Sequence, residues 1–305
     1  MRKLHDRPVV SALGGAIAIA FSAILYRYSH VSPSTGAFFR CAWAVPPLAL
    51  LAWWEDRRFG PRPPSARFWA VLAGLFFAAD LILWHHAIED VGAGLSTVLG
   101  NTQVVLVGLV AWALLGERPS TRALVSIPIV MVGVVFISGA IGAGAYGAYP
   151  ARGVLFGVLT ALMYTGFLLT LRHGNQDVRR PAGPLCDATA VSAIACLVAG
   201  LALGDLDLTP SWAATGWLVL LALSSQVLGW LLISLSLPRL PAVLTSILLT
   251  LQPVTTVVLG IVLLNESPSA LQLVGAAAIL AGLVAVSTSR RSTAAAPVVE
   301  AGSSK

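Results

Sequence analysis

Charge is scarce in this chain. Asp, Glu, Lys and Arg make up 10% of its 305 residues, against about 25% in ordinary soluble domains. With 57% hydrophobic residues and a mean hydropathy of +0.85, a soluble domain is excluded. Cysteine is scarce too: Cys41, Cys186 and Cys196 all fall inside apolar runs and form no CxxC pair, so neither a disulfide framework nor a metal site is expected. The alternating in/out pattern of a transmembrane barrel is missing. There is no ATP-binding loop, and no HxxxH, Ser-His pair or aspartate pair at helical spacing within the apolar runs, so no catalytic residue and no cofactor are assigned.

What the chain has instead is long apolar runs. A hydrocarbon core of about 30 Å takes about 20 apolar residues per helix. Ten runs reach that scale: Val9 to Tyr26, Gly36 to Trp54, Phe68 to Ile88, Val91 to Leu115, Ala123 to Ile141, Gly153 to Leu171, Gly183 to Leu203, Trp212 to Leu237, Ala242 to Leu264 and Ala270 to Val286. The expected fold class is an all-α membrane protein of ten transmembrane helices. Basic residues are retained on the cytoplasmic side, and starting from inside, all but Arg27, Arg40 and Arg152 fall there. Glu89, Asp90, Asp205 and Asp207 fall in outer loops, and both termini are expected in the cytoplasm. Because the basic residues are scattered over short loops, the net charge of +6 reads as membrane orientation and not as a nucleic-acid surface.

The chain also repeats itself. "TQVVLVGLVAWALLGERPSTRALVSIPIVMVGVVFIS" (Thr102 to Ser138) and "LQPVTTVVLGIVLLNESPSALQLVGAAAILAGLVAVS" (Leu251 to Ser287) align without gaps, placing Gln103 on Gln252, Glu117 on Glu266 and Gly133 on Gly282. The expected division is a cytoplasmic N-terminus (1–8), a first five-helix repeat (9–141), an outer linker (142–152), a second five-helix repeat (153–287) and a disordered cytoplasmic tail (288–305). Five is odd, so the second repeat enters the membrane inverted, the usual basis for a substrate site between two halves.

Ten spans in two halves, each carrying an apolar helix that ends in "LLGERPS" or "LLNESPS", resemble the EamA-type branch of the drug/metabolite transporter superfamily. The resemblance implies a bundle around a central cavity and export or exchange of small metabolites, often amino acids, by alternating access. In that family a proline usually stands early in the helix before the turn. Pro253 supplies it in the second half, but Val104 stands there in the first, so the two half-sites are not expected to be equivalent.

Ionisable groups at membrane depth need a partner, water or a function. Asp80 lies near mid-depth in its helix. His85 is about 140° round that helix from it and His86 about 240°, so neither pairs with it readily, whereas Phe77, Trp84 and Ala87 share its face. Asp80 either carries a coupling proton or ties helices together. The repeat sets Phe77 on Gln226 and Leu81 on Trp230, giving each half a polar group and a tryptophan on its third helix. Asn101, Tyr164 and Gln252 complete the expected substrate-binding set with Asp80, Trp84, Gln226 and Trp230. Arg40, His85 and His86 are placed in an outer vestibule, where Arg40 either attracts a carboxylate or snorkels to headgroups, and Asp187 is expected to be solvated. "GAGAYG" (Gly142 to Gly147) lacks the strand a dinucleotide site needs, and Gly153 with Gly157 reads as close helix packing.

The expected activity is secondary active transport of small amphipathic metabolites, with an embedded lipid-modifying enzyme or a non-transporting membrane sensor as alternatives. The expected partners are a small-molecule substrate and the lipid bilayer, without nucleic acid, and a homodimer is left open. The expected location is a bacterial inner membrane.

Overall fold

A computed structural model of the chain describes residues 8–106, 121–142, 144–174, 177, 179–236 and 251–288. The described residues form helices and connecting turns: α1 (Pro8–Ala20), α2 (Ser22–Ser29), α3 (Pro33–Ala42), α4 (Val45–Phe59), α5 (Pro64–Val91), α6 (Ala93–Gly100), α7 (Thr121–Ile137), α8 (Pro150–Gly174), α9 (Ala182–Leu203), α10 (Trp212–Leu221), α11 (Trp230–Ser236), α12 (Leu251–Leu264) and α13 (Ala270–Thr288). A π-helical stretch, Ala222–Gly229, joins α10 to α11.

Among the described residues, six stretches are long and apolar enough to cross a membrane: Val9–Ser29, Pro33–Phe59, Pro64–Val91, Pro150–Leu171, Ala182–Leu203 and Trp212–Leu235. Shorter apolar helices cover Leu124–Ile137, Leu251–Leu264 and Ala270–Ala285. Several helices begin a few residues earlier than the hydropathy suggests, because Pro33, Pro64 and Pro150 occupy first helical positions, where a missing N–H costs nothing. Gly92 (φ +88°) breaks α5 from α6, and Gly204 (φ +77°) ends α9 in the left-handed conformation. The expected N-terminal segment before residue 8, the Glu117 turn, the start of the ninth run and the tail beyond Thr288 lie outside the described residues.

Packing follows the repeat. α5 lies along α8, and α1 along the π-helical stretch and α11; α3 and α4 pack on α9, α6 on α12, and α7 on α13. Between the two repeats, α3 with α4, α6 and α7 each meet the element at the corresponding place, α9, α12 and α13, while α5 meets α8 and the π-helical stretch with α11 meets α1. That set is unchanged when the halves are exchanged, as a two-fold relation between two repeats requires. The close approaches fall on small residues: a Cβ on Gly133 would strike the Gly275 carbonyl, and one on Gly275 the Gly133 carbonyl.

The polar ends sort into two faces. Arg62 and Arg180 join 55–62 to the start of α9, forming an arginine-rich face. At the opposite end Asp90, Asp205, Asp207 and Glu266 join the loops after α2, α5, α7, α9 and α12 into an acidic face.

Candidate functional site

Between the two faces, Asp80, Trp84, Asn101, Tyr164, Trp230 and Gln252 line one cavity of about 70 Å³. Six of the seven residues expected to bind substrate therefore meet at one place, contributed by α5, the end of α6, α8, α11 and α12. Asp80 is 7% exposed and makes no hydrogen bond to another described residue. Asn101 spends its amide on the Thr97 carbonyl, 2.8 Å away. Gln103, buried on another side of its helix, does not reach the cavity. At about 30 Å³ per water the cavity has room for about two, far below the roughly 300 Å³ of a small-molecule site.

Arg40 corrects its expected place. It is 3% exposed and lines this same cavity instead of an outer vestibule. Its Nε donates to Gln226 Oε1 at 3.1 Å, and its guanidinium carbon lies 5.6 Å from the Trp84 ring and 6.0 Å from that of Phe77. The aromatic faces and the amide replace the hydration that snorkelling would have supplied. Asp80 and Arg40 act on each other electrostatically. Gln226 is corrected in turn: it stands behind the wall, held by Arg40 and by Thr189, its amide donating to Thr189 Oγ1 at 3.2 Å. Its amide is spent on the α3 and α9 side chains behind the wall, contacts that a repeat alignment does not carry, while Trp230 four residues on does line the cavity.

His85 is fully buried, its ring edge-on to Tyr26 at 4.3 Å and its Nδ1 against the Leu81 carbonyl, so it belongs to the packing and not to a vestibule. His86 does stand on the acidic face, 3.9 Å from Asp205. Asp187, expected to be solvated, is gripped by Arg62 at 2.8 and 3.2 Å. The cavity wall continues into an aromatic cluster: Phe77 stacks on Phe167 at 4.4 Å, and Trp230 meets Phe167 edge-on at 5.1 Å.

Two glutamates that the sequence did not single out as site residues fasten the halves to each other above and below this cavity. Glu266 accepts from the backbone N–H of Ala93 and of Gly94 at the start of α6. Glu55 accepts from the N–H of Ala182 at 3.0 Å and of Gly183 at 2.9 Å at the start of α9. Thr160 was also missed, although its place one turn before Tyr164 on α8 carried the signal.

Twenty-three chains of known structure match this one. Among them, a crystal structure described only as that of a protein aligns with a TM-score of 0.61 at 16% identity, covering 94% of this chain and 99% of its own. At that identity the likeness shows the fold alone. A search of curated proteins finds no match. The sequence profile described as the EamA-like transporter family matches twice, over residues 7–139 and 151–288. Those two matches take in nearly every element described above, one per repeat, and the chain belongs to the EamA-like transporter family.

Proposed function

We propose that this membrane transporter moves small amphipathic metabolites, amino acids foremost, by alternating access as an exporter or exchanger, with Asp80 carrying a coupling proton. The observation that carries the reading is that Arg40 and Asp80, charges of opposite sign, line one small cavity together with aromatic rings. A zwitterion offers a carboxylate to the guanidinium and an ammonium to the carboxylate. Each charge is costly to bury unpaired, so both are best satisfied when such a solute is bound.

The packing that survives exchange of the halves supports alternating access, since two inverted units can swap conformations to open opposite faces. In this reading the arginine-rich face and both termini lie in the cytoplasm of a bacterial inner membrane. The transport units are residues 9–141 and 153–287, joined by an outer linker at 142–152.

The test is flux into proteoliposomes of labelled amino acids, with and without an imposed pH gradient, for wild type and Asp80→Asn. Gradient-driven accumulation should vanish in the variant, while counterflow exchange survives at weakened affinity, the Asn amide oxygen still accepting from the ammonium. Equal behaviour of the two proteins would remove the coupling role from Asp80. Absence of any solute flux would return the lipid-modifying enzyme and the sensor to consideration.

A further inference from the structure

Four buried threonines in these helices return their hydroxyl proton to the backbone one turn earlier. Thr97 donates to the Ala93 carbonyl at 2.8 Å, Thr165 to Ala161 at 2.8 Å, Thr170 to Gly166 at 2.7 Å and Thr256 to Gln252 at 2.9 Å. Thr160 breaks the pattern. It is 3% exposed and lies on the same helix as Thr165 and Thr170, yet its Oγ1 has no partner among the described residues. It lines the central cavity.

A second polar group there shares its condition. The indole N–H of Trp230, on a residue 4% exposed, is also without a partner among the described residues and lines the same cavity. Tyr164 connects the two walls: it follows Thr160 by one helical turn on the same face of α8, and its ring meets that of Trp230 edge-on at 6.1 Å. Buried polar groups in folded proteins are nearly always paired, and each exception calls for an explanation.

We propose that Thr160 and Trp230 read a hydrogen-bonding group on the transported solute, so that the transporter favours a solute with a hydroxyl or amide in its variable part over the isosteric hydrocarbon. The inference rests on the transport of amino acids proposed above. Arg40 and Asp80 face the charged ends, which all amino acids share, and so discriminate little among them. Discrimination falls to the groups that meet the variable part. An apolar pocket barely distinguishes an isostere that adds a hydroxyl, whereas a site with hydrogen-bonding groups to satisfy rejects the solute that leaves them unpaired. On one side α8 offers Thr160, on the other α11 offers the indole, and Gly100, which also lines the cavity, leaves room beside Thr160: a Cβ there would stand 3.2 Å from the Thr160 methyl.

The experiment is counterflow in proteoliposomes with the full chain, using threonine against valine and asparagine against leucine as near-isosteric pairs. Wild type should favour threonine over valine by about tenfold, the worth of one net hydrogen bond. Thr160→Val should bring that ratio near one while valine flux persists, Thr160→Ser should keep the preference, and Trp230→Phe should reduce it. A Thr160→Val protein that keeps the wild-type ratio overturns the proposal, as does a wild type that moves both solutes equally. If wild type moves no amino acid, the transport reading fails first and takes this one with it.

Discussion

On the acidic face, Glu266 holds the first two amides of α6 inside a wall of glycines; on the arginine-rich face, Glu55 holds the first two amides of α9 beside a guanidinium. The chemistry is the same, a carboxylate across a helix N-terminus, where unpaired N–H groups and the helix dipole favour negative charge. What sustains it differs. Glu266 depends on space: a Cβ on Gly92 would stand 2.7 Å from Oε1, and one on Gly260 would collide with Oε2. Glu55 has a buried guanidinium beside it: Arg62 acts on it electrostatically while gripping Asp187, and lies 3.7 Å from Asp56, whereas Arg27, which acts on Glu266, is partly exposed and pairs with Glu89. The Glu266 cradle is walled by glycines that leave no room for an added carbon, whereas the Glu55 end leans on a side chain, Arg62, against which a Cβ on Gly183 would stand at 2.7 Å.

Glu266→Ala should have the largest effect. It strands two buried amide donors, each worth about 1–3 kcal/mol when left unpaired, and should lower the melting temperature in detergent by several degrees. Gly260→Ala comes next: the new methyl should displace the carboxylate and cost about half as much. In a Glu266→Ala background the same change should cost almost nothing, and additive costs would show that the two positions do not share one contact. Glu55→Gln should be milder, about 1 kcal/mol, since an amide still accepts one of the two N–H bonds. Its penalty should also change in an Arg62→Ala background, where that of Glu266→Gln should hold steady; equal responses would erase the distinction between cradle and charge.

A smaller effect is a pH dependence. Burial pushes the Glu266 carboxyl above its ordinary value, outweighing the two backbone donors that pull it down. A carboxyl raised on folding contributes stability below its unfolded pKa, about 4.3, and loses it as pH rises through the folded value. Melting temperatures of wild type should fall across that window relative to those of Glu266→Gln, and parallel curves would count against the assignment. Smallest of all is Asp177, which hydrogen bonds from Arg179 hold at about 2. It is a solvated pair on the arginine-rich face, and Asp177→Asn should shift melting by no more than the scatter of the measurement.

Much of the cavity was legible in the sequence because an apolar helix makes every polar residue conspicuous. Asp80, Asn101, Tyr164 and Gln252 each stood out against hydrocarbon, and Trp84 and Trp230 followed from helical spacing and the repeat. Arg40 was legible as unusual but not as central, since its depth was judged from one helix taken alone. The Gln226 amide and the rings of Phe77 and Trp84 that house it come from other helices. His85 reads as interfacial on its own helix, yet is covered by Tyr26 from α2.

The sequence by itself determined that the chain is a membrane protein of apolar helices in two repeats, because backbone polar groups in lipid must be satisfied within each segment and hydrophobic length is a local property. The tertiary structure alone decided which polar groups share a cavity, which are consumed by neighbours and which are left unpaired. Those outcomes depend on contacts between segments far apart in the chain, such as Arg40 with Gln226, Arg62 with Asp187 and Glu266 with Ala93. A glycine in place of a larger residue moves such contacts without disturbing the hydropathy of any single segment.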